Sequence, residues 1–313
     1  MGHGHGHGHG GHGGHAGGRA ADRRRLRVVL AVSATVMVLE VVGALLTGSL
    51  ALLADAGHLA TDAAAVALAL AASYVASLPA GRRSTFGYHR AEILAALANA
   101  VVLLVVCGYL AYAAVPRLLH PTPVEAGTMI WFALVGLVAN AASLLVLARA
   151  DGTSLNMRGA LNEVVADLLG SVLAVLSAVL ILLFDWQRAD AVASLLIAAM
   201  ILPRSFALLR DAGAVLLEVA PAGLDLDDVE RHLAGVEGVL EVHDLHAWTI
   251  TSGLPSLSAH VTVTDEALAA RGVGAVLDDL CHCVAEHFDV RHATFQVEPA
   301  SHRAHEDLGE VHR

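Results

Sequence analysis

Three ionisable side chains, Asp55, His58 and Asp62, interrupt an apolar run over residues 50–78. A run that long can cross a bilayer as a helix, and a charge at membrane depth is costly enough to call for a partner and a function. At about 100° per residue, His58 and Asp62, four apart, share a helix face, and Asp55, seven before Asp62, shares it too. A second apolar run carries Glu163 and Asp167, again four apart. One imidazole and three carboxylates on two facing helices make a four-ligand divalent-metal site from His58, Asp62, Glu163 and Asp167. Either pair alone reads equally well as a helix-to-helix hydrogen bond. Asp55 lies a turn or more towards the outer end of its helix and reads as an exit-path or proton-handling carboxylate.

The elements that must position these groups are apolar helices. The chain has 313 residues, 56% of them hydrophobic and only 4% aromatic, with a mean hydropathy of +0.62. That is too apolar for an ordinary soluble protein and leaves room for several spans and a small domain. Six segments qualify, at about 26–48, 50–78, 90–115, 124–148, 157–184 and 188–208. An even number of spans puts both termini on one side. Arginines at 19, 23, 24, 25, 27, 82, 83, 90, 149, 158, 204 and 210 flank one side against 117 and 188 on the other, which places both termini in the cytoplasm. No signal-peptide core precedes the first span, which must therefore direct insertion itself. Other polar groups at membrane depth are Glu40 and Asp190, read as structural, Asn140 and Asn162, whose oxygens suit a cation although amides in spans more often make interhelical hydrogen bonds, and Asn99, read as an interhelical bond.

Outside the spans the chain changes character. Residues 1–22 alternate Gly and His and can pack no core, so they read as a disordered tail that binds metal weakly or as a purification tag. From 221 to 298 charges, alternation and turns predict a helix at 224–235, strands at 239–249 and 256–264, a helix at 266–288 and a strand at 292–298. The fold class is thus a six-helix α-helical membrane protein with a cytoplasmic α+β domain, αββαβ and ferredoxin-like. The domains run 1–22 (tail), 23–212 (membrane), 213–298 (cytoplasmic, metal-binding and dimerising) and 299–313 (loose tail). The net charge of -11, concentrated in the last third, argues against a nucleic-acid partner. Three cysteines supply no disulfide framework. Cys281 and Cys283, two apart on a helix, point too far from each other to clasp one ion. No phosphate-binding loop or hydrolase motif occurs, so uphill transport needs a gradient other than ATP.

Five ordered motifs resemble the cation diffusion facilitators: Ala54-Asp55-Ala56-Gly57-His58 with Asp62, Phe86-Gly87-Tyr88-His89-Arg90-Ala91-Glu92, Asn156-Met157-Arg158-Gly159-Ala160 with Asp167, Val215-Leu216-Leu217-Glu218 before Pro221, and His243-Asp244-Leu245-His246-Ala247-Trp248. The resemblance runs from about 27 to 298. It implies a homodimeric metal-ion/proton antiporter, embedded in lipid in a bacterial cell membrane, that exports Zn²⁺ and related ions and is not an enzyme. It carries the transport-site role onto His58, Asp62, Glu163 and Asp167, and a cytoplasmic Zn²⁺ site onto His243, His260 and Glu298, with His246 and His292 nearby by strand logic. It maps a charge interlock onto Arg90 and Glu218, and the loop 79–89, with one His and no acid, is expected to hold no metal. Many zinc-transporting relatives have His where this chain has Glu163, so Mn²⁺, Fe²⁺, Co²⁺ and Cd²⁺ stay open beside Zn²⁺. His58 is the expected proton carrier of the site. Two readings from other classes fit less well. An intramembrane metalloenzyme needs many histidines at helix ends, and a membrane-anchored metal sensor has no use for two buried acidic pairs.

Overall fold

The computed structural model describes residues 13–148, 155–251 and 253–302, with side chains left out at 13–27 and 155–158. Among the described residues six helices are long and apolar enough to cross a membrane: α1 Gly13–Thr47, α2 Leu50–Ala76, α3 Arg90–Leu119, α4 Ala126–Ala148, α5 Leu155–Phe184 and α6 Arg188–Leu216. They fall where the apolar runs placed them, with two differences. Helix α1 begins within the stretch expected to be an unstructured tail, and α6 continues past 212 to Leu216. Residues 1–12 and 303–313, the rest of the two expected tails, lie outside the described residues.

The chain divides into two compact units, one from α1 to Ala67 plus Asn99–Ala207, the other Leu68–Ala98 plus everything from Leu208 onwards. In the first unit the buried contacts are made largely by small side chains. Ala44, Ala51, Ala133, Ala174, Ala178, Ala189 and Ala193 share one cluster with Leu52, Met129 and Ile181. Without a hydrophobic drive between helices in lipid, such residues let backbones approach closely. At Gly43 a Cβ would come within 2.6 Å of the Phe132 ring, so α1 and α4 can touch there only through glycine. Large side chains such as Leu45, Leu70, Tyr112 and Trp131 point outwards, as a lipid-facing surface requires.

The short turn between α1 and α2 is built by charge. Gly48, at φ +71°, ends α1 in the left-handed conformation that glycine adopts without strain. Asp190 of α6 then receives Ser49 Oγ at 2.5 Å, Leu50 N at 2.7 Å and Ala51 N at 3.1 Å, capping α2. Arg117 donates to Gly48 O at 2.7 Å and stands 3.7 Å from Asp190. The structural reading of Asp190 thereby acquires a mechanism, since a carboxylate at a helix N-terminus satisfies orphan N–H groups and meets the positive end of the dipole.

In the second unit α7 (Leu226–Ala234), β1 (Val239–Thr251), β2 (Leu254–Val263), α8 (Asp265–Phe288) and β3 (His292–Pro299) form the αββαβ domain. The sheet order is β1-β2-β3, with β1 antiparallel and β3 parallel to β2. Asp225 caps α7 and Thr264 caps α8. Val229 and Leu233 of α7, and Val276, Leu280 and Val284 of α8, pack on Leu257, Ala259, Val261 and Val263 of β2 as one core.

Candidate metal centre

Helices α2 and α5 bring His58, Asp62 and Asp167 together, one ligand atom from each lying within 4.8 Å of the others. His58 Nε2 is 3.5 Å from Asp62 Oδ2 and 3.7 Å from Asp167 Oδ1. A tetrahedral ion bound at about 2.1 Å spaces its ligands about 3.4 Å apart, so these separations suit one ion. His58 and Asp167 are buried, and Asp62 Oδ2, Asp167 Oδ1 and His58 Nδ1 are buried atoms with no hydrogen-bond partner. Buried polar atoms are ordinarily satisfied, and two carboxylate oxygens left open among the described residues, Asp62 Oδ2 and Asp167 Oδ1, both facing His58 Nε2, fit a cation.

Glu163, the expected fourth ligand, stands slightly apart. It is not among the three converging donors; its Oε1 takes Arg204 Nη2 at 3.2 Å at a half-exposed position beside Asp62. Arg204, from α6, enters the sequence reading only as a flanking charge that sets topology, not as part of the site. It also borders a small cavity of about 70 Å³ with Asp55, His58 and Gly170. Asn162 is exposed, and so does not serve the site. Asn140 does face inwards: its Nδ2 donates to Ser171 Oγ at 3.0 Å, which donates to Asp55 Oδ2 at 3.0 Å. Ser171 is a second participant the sequence reading missed, since a lone serine in a span carries no signal of its own.

In the cytoplasmic domain His243, His260 and Glu298 converge as expected. His243 and His260 face one another across β1 and β2, their ring centroids 5.4 Å apart. Glu298, buried on β3, lies 3.3 Å from His260 Nδ1 and 4.0 Å from His243 Nε2. Asp244, at φ +48° in a register shift of β1, adds a carboxylate 3.6 Å from His260 Nε2 and 2.9 Å from His246 Nε2. His246 therefore stays near the group through Asp244. His292 does not: parallel pairing sets it opposite Ser256, and its ring packs edge-on against Phe86 at 5.4 Å.

Arg90 and Glu218, both within the second unit, form an ion pair of 2.7 Å. Cys281 is exposed and Cys283 partly buried, and among the described residues neither belongs to a group able to hold a metal. Burial pushes both thiols above their usual value, Asp278 adding to the effect at Cys281.

A membrane bundle with converging open donors and a ligand-bearing α+β domain defines a metal-transport architecture. Residues 26–217 match the cation efflux transmembrane domain and 221–300 the cytoplasmic domain of cation efflux proteins, and the chain belongs to this family, the cation diffusion facilitators. It is 42% identical to the metal cation efflux system protein CzcD of Cupriavidus metallidurans over 91% of this chain and 89% of the relative. It is 36% identical to the cadmium, cobalt and zinc/H⁺-K⁺ antiporter of Bacillus subtilis (92% and 93% covered) and 39% identical to the zinc transporter ZitB of Escherichia coli (88% and 87%). A solved metal-bound C-terminal domain of the Cupriavidus CzcD transporter matches 24% of this chain and 99% of that domain at 39% identity, with a TM-score of 0.22. The chain is thus a multi-pass bacterial membrane protein of divalent-metal efflux and not an enzyme.

Proposed function

We propose that this protein exports divalent metal ions, Zn²⁺ foremost, from the cytosol in exchange for protons, by alternating access. The observation that carries this reading is the convergence of His58, Asp62 and Asp167 at membrane depth, with the facing oxygens Asp62 Oδ2 and Asp167 Oδ1 unpartnered. Zn²⁺ accepts exactly this kind of mixed N and O set, though Asp62 and Asp167 also suit harder ions. Glu163 is the proposed fourth ligand, reached when its side chain leaves Arg204 for the arriving ion. Relatives named for zinc, and for cadmium, cobalt and zinc together, support a substrate range of that kind.

Proton exchange follows from the chemistry of the empty cluster. Carboxylates gathered in a poorly solvated place cannot all stay ionised without a cation, so protons occupy the site when metal does not. A divalent ion displaces them on loading, and they return when it leaves, which couples metal export to inward proton movement. The relative named as a zinc/H⁺-K⁺ antiporter supports an ion-exchange cycle. The working unit is a homodimer with both termini in the cytoplasm, whose cytoplasmic domains bind Zn²⁺ through His243, His260 and Glu298. The decisive measurement is metal flux in proteoliposomes across a panel of ions, with an imposed pH gradient at zero membrane potential. Flux should follow the size and sign of the gradient; indifference to both would leave a facilitated-diffusion channel as the better account.

A further inference from the structure

A second acidic pair is buried in the first unit, outside the three converging donors. Glu40 of α1 and Asp55 of α2 are each 1% exposed, and both carboxyls gather at Ser171: a Cβ at Gly136 would meet Glu40 Oε1 and, at 3.4 Å, Ser171 Oγ, the hydroxyl that donates to Asp55. Neither Glu40 oxygen has a partner among the described residues, nor does Asp55 Oδ1, while Asp55 Oδ2 takes the Ser171 hydroxyl at 3.0 Å. The space is made by glycine. A Cβ at Gly136 would strike Glu40 Oε1, and one at Gly170 would strike Asp55 Oδ1.

Two ionised carboxylates facing each other in such a place, with no hydrogen between them, would repel and be poorly solvated. One shared proton turns that repulsion into a hydrogen bond. Among the described residues, the charged and titratable groups near the pair are His58 on α2 and Arg204 on α6, which border the same cavity as Asp55, and Asp167 on α5, with α4 contributing the neutral Asn140 through Ser171. Asp55 and His58 border the same cavity of about 70 Å³, room for about two waters at roughly 30 Å³ each. Along α2, Asp55 lies between His58 and the α1–α2 turn, on the side from which a proton would enter as metal leaves.

We propose that Glu40 and Asp55 form a proton relay, distinct from the metal ligands, which passes its shared proton through the adjoining cavity to the vacated transport site and is then refilled. The proposal rests on the antiport reading. In each cycle the O–H bond of the pair breaks, a new one forms on a transport-site group, and a proton from water restores the pair, so no other reactant is needed.

Glu40→Gln is the main test, because the amide Nε2–H can donate to Asp55 in place of the shared proton and keep the packing. Metal affinity of the purified protein should stay within about threefold, while flux driven by a pH gradient falls about tenfold or more, a loss equal to about 1.4 kcal/mol of barrier. Asp55→Asn should act alike, and Glu40→Asp should restore part of the rate. Infrared spectroscopy supplies a readout that survives poor folding of variants. In the wild type saturated with Zn²⁺, when the metal ligands are ionised, the C=O stretch of one remaining carboxylic acid should persist. Absence of that band, or Glu40→Gln flux with wild-type rate and pH dependence, overturns the relay. A wild-type rate that needs potassium and lacks the band assigns the pair to that ion instead, and overturns it too. If the wild type itself ignores the pH gradient, the antiport reading fails; if only the variant matches the wild type, the relay alone fails.

Discussion

Arg204 and Glu163 are joined at 3.2 Å, and Glu163, the expected fourth ligand, is not one of the three donors that converge, His58, Asp62 and Asp167. Both side chains are substantially exposed, so breaking their contact costs little, within the range of about 0–1 kcal/mol typical of surface pairs. Arg204→Gln should free Glu163 and remove a cation from the rim of a cation site. Zn²⁺ affinity of the purified protein, measured by calorimetry, should rise by about two- to fivefold, the equivalent of up to about 1 kcal/mol. Equal affinity in variant and wild type would show that the pair does not restrain Glu163.

Asp167 and Glu163, one turn apart on α5, should respond unequally to substitution. Asp167 is buried with an open oxygen aimed at His58, whereas Glu163 is half-exposed and already paired. Vesicle flux should disappear in Asp62→Ala and Asp167→Ala, but fall only in part in Glu163→Ala. Glu163→His should shift preference towards Zn²⁺ and Cd²⁺, because imidazole is the softer donor. A metal ranking identical to the wild type would remove Glu163 from the coordination sphere.

The legible part of this architecture was periodic. Helix spacing put His58 with Asp62 on one face of α2, and hydropathy located the six spans, because both signals repeat along the chain and need no knowledge of neighbours. What stayed hidden depended on a partner. The i, i+4 relation of Glu163 to Asp167 predicts a shared face, yet it says nothing of Arg204 arriving from α6 to claim Glu163. Register was equally hidden. His292 was placed near His260 by strand order, but parallel pairing with Ser256 carries it away, and a shift of β1 between His243 and His246 brings in Asp244. Glu40 reads from sequence as a structural group, and nothing along α1 signals that its carboxyl gathers with Asp55 of α2 at Ser171.

Zinc should stabilise the cytoplasmic domain through His243, His260 and Glu298. This segment has its own core and so should fold as residues 221–313. A ligand at a hundred times its dissociation constant adds about 2.7 kcal/mol to the folded state, visible as a rise in Tm. Joint replacement of the three side chains by Ala should remove the rise. Its persistence would point to other ligands.

Cys281 and Cys283 should react sluggishly despite the exposure of Cys281. Burial favours the neutral thiol at both, and the Asp278 charge adds to this at Cys281, lifting each above the usual value of 9.0. Only thiolate is the nucleophile, so alkylation by iodoacetamide at pH 7.5 should run slower than with a free peptide thiol. A raised value also means that the folded state holds its thiol protons more tightly than the unfolded chain. The associated stability is complete below the unfolded value and drains away as pH rises through the folded one. Alkylation at the free-thiol rate would contradict the assignment.

Asp190 is the group whose loss should be felt most in stability, although it touches none of the metal ligands. It is 1% exposed and accepts three hydrogen bonds at the start of α2, the helix that carries Asp55, His58 and Asp62. Asp190→Ala strands those donors and leaves Arg117 without its nearby carboxylate. Loss of a cap costs about 0.5–2 kcal/mol, and the stranded buried donors add about 1–3 kcal/mol each where water cannot reach them. Asp190→Asn keeps one acceptor oxygen and should lose less. The expected order of Tm in detergent is wild type, then Asp190→Asn, then Asp190→Ala, with Zn²⁺ affinity at low temperature changed far less than by Asp167→Ala. A fall in affinity as large as that of Asp167→Ala, with Tm unchanged, would move Asp190 from the frame of the helix into the path of the ion.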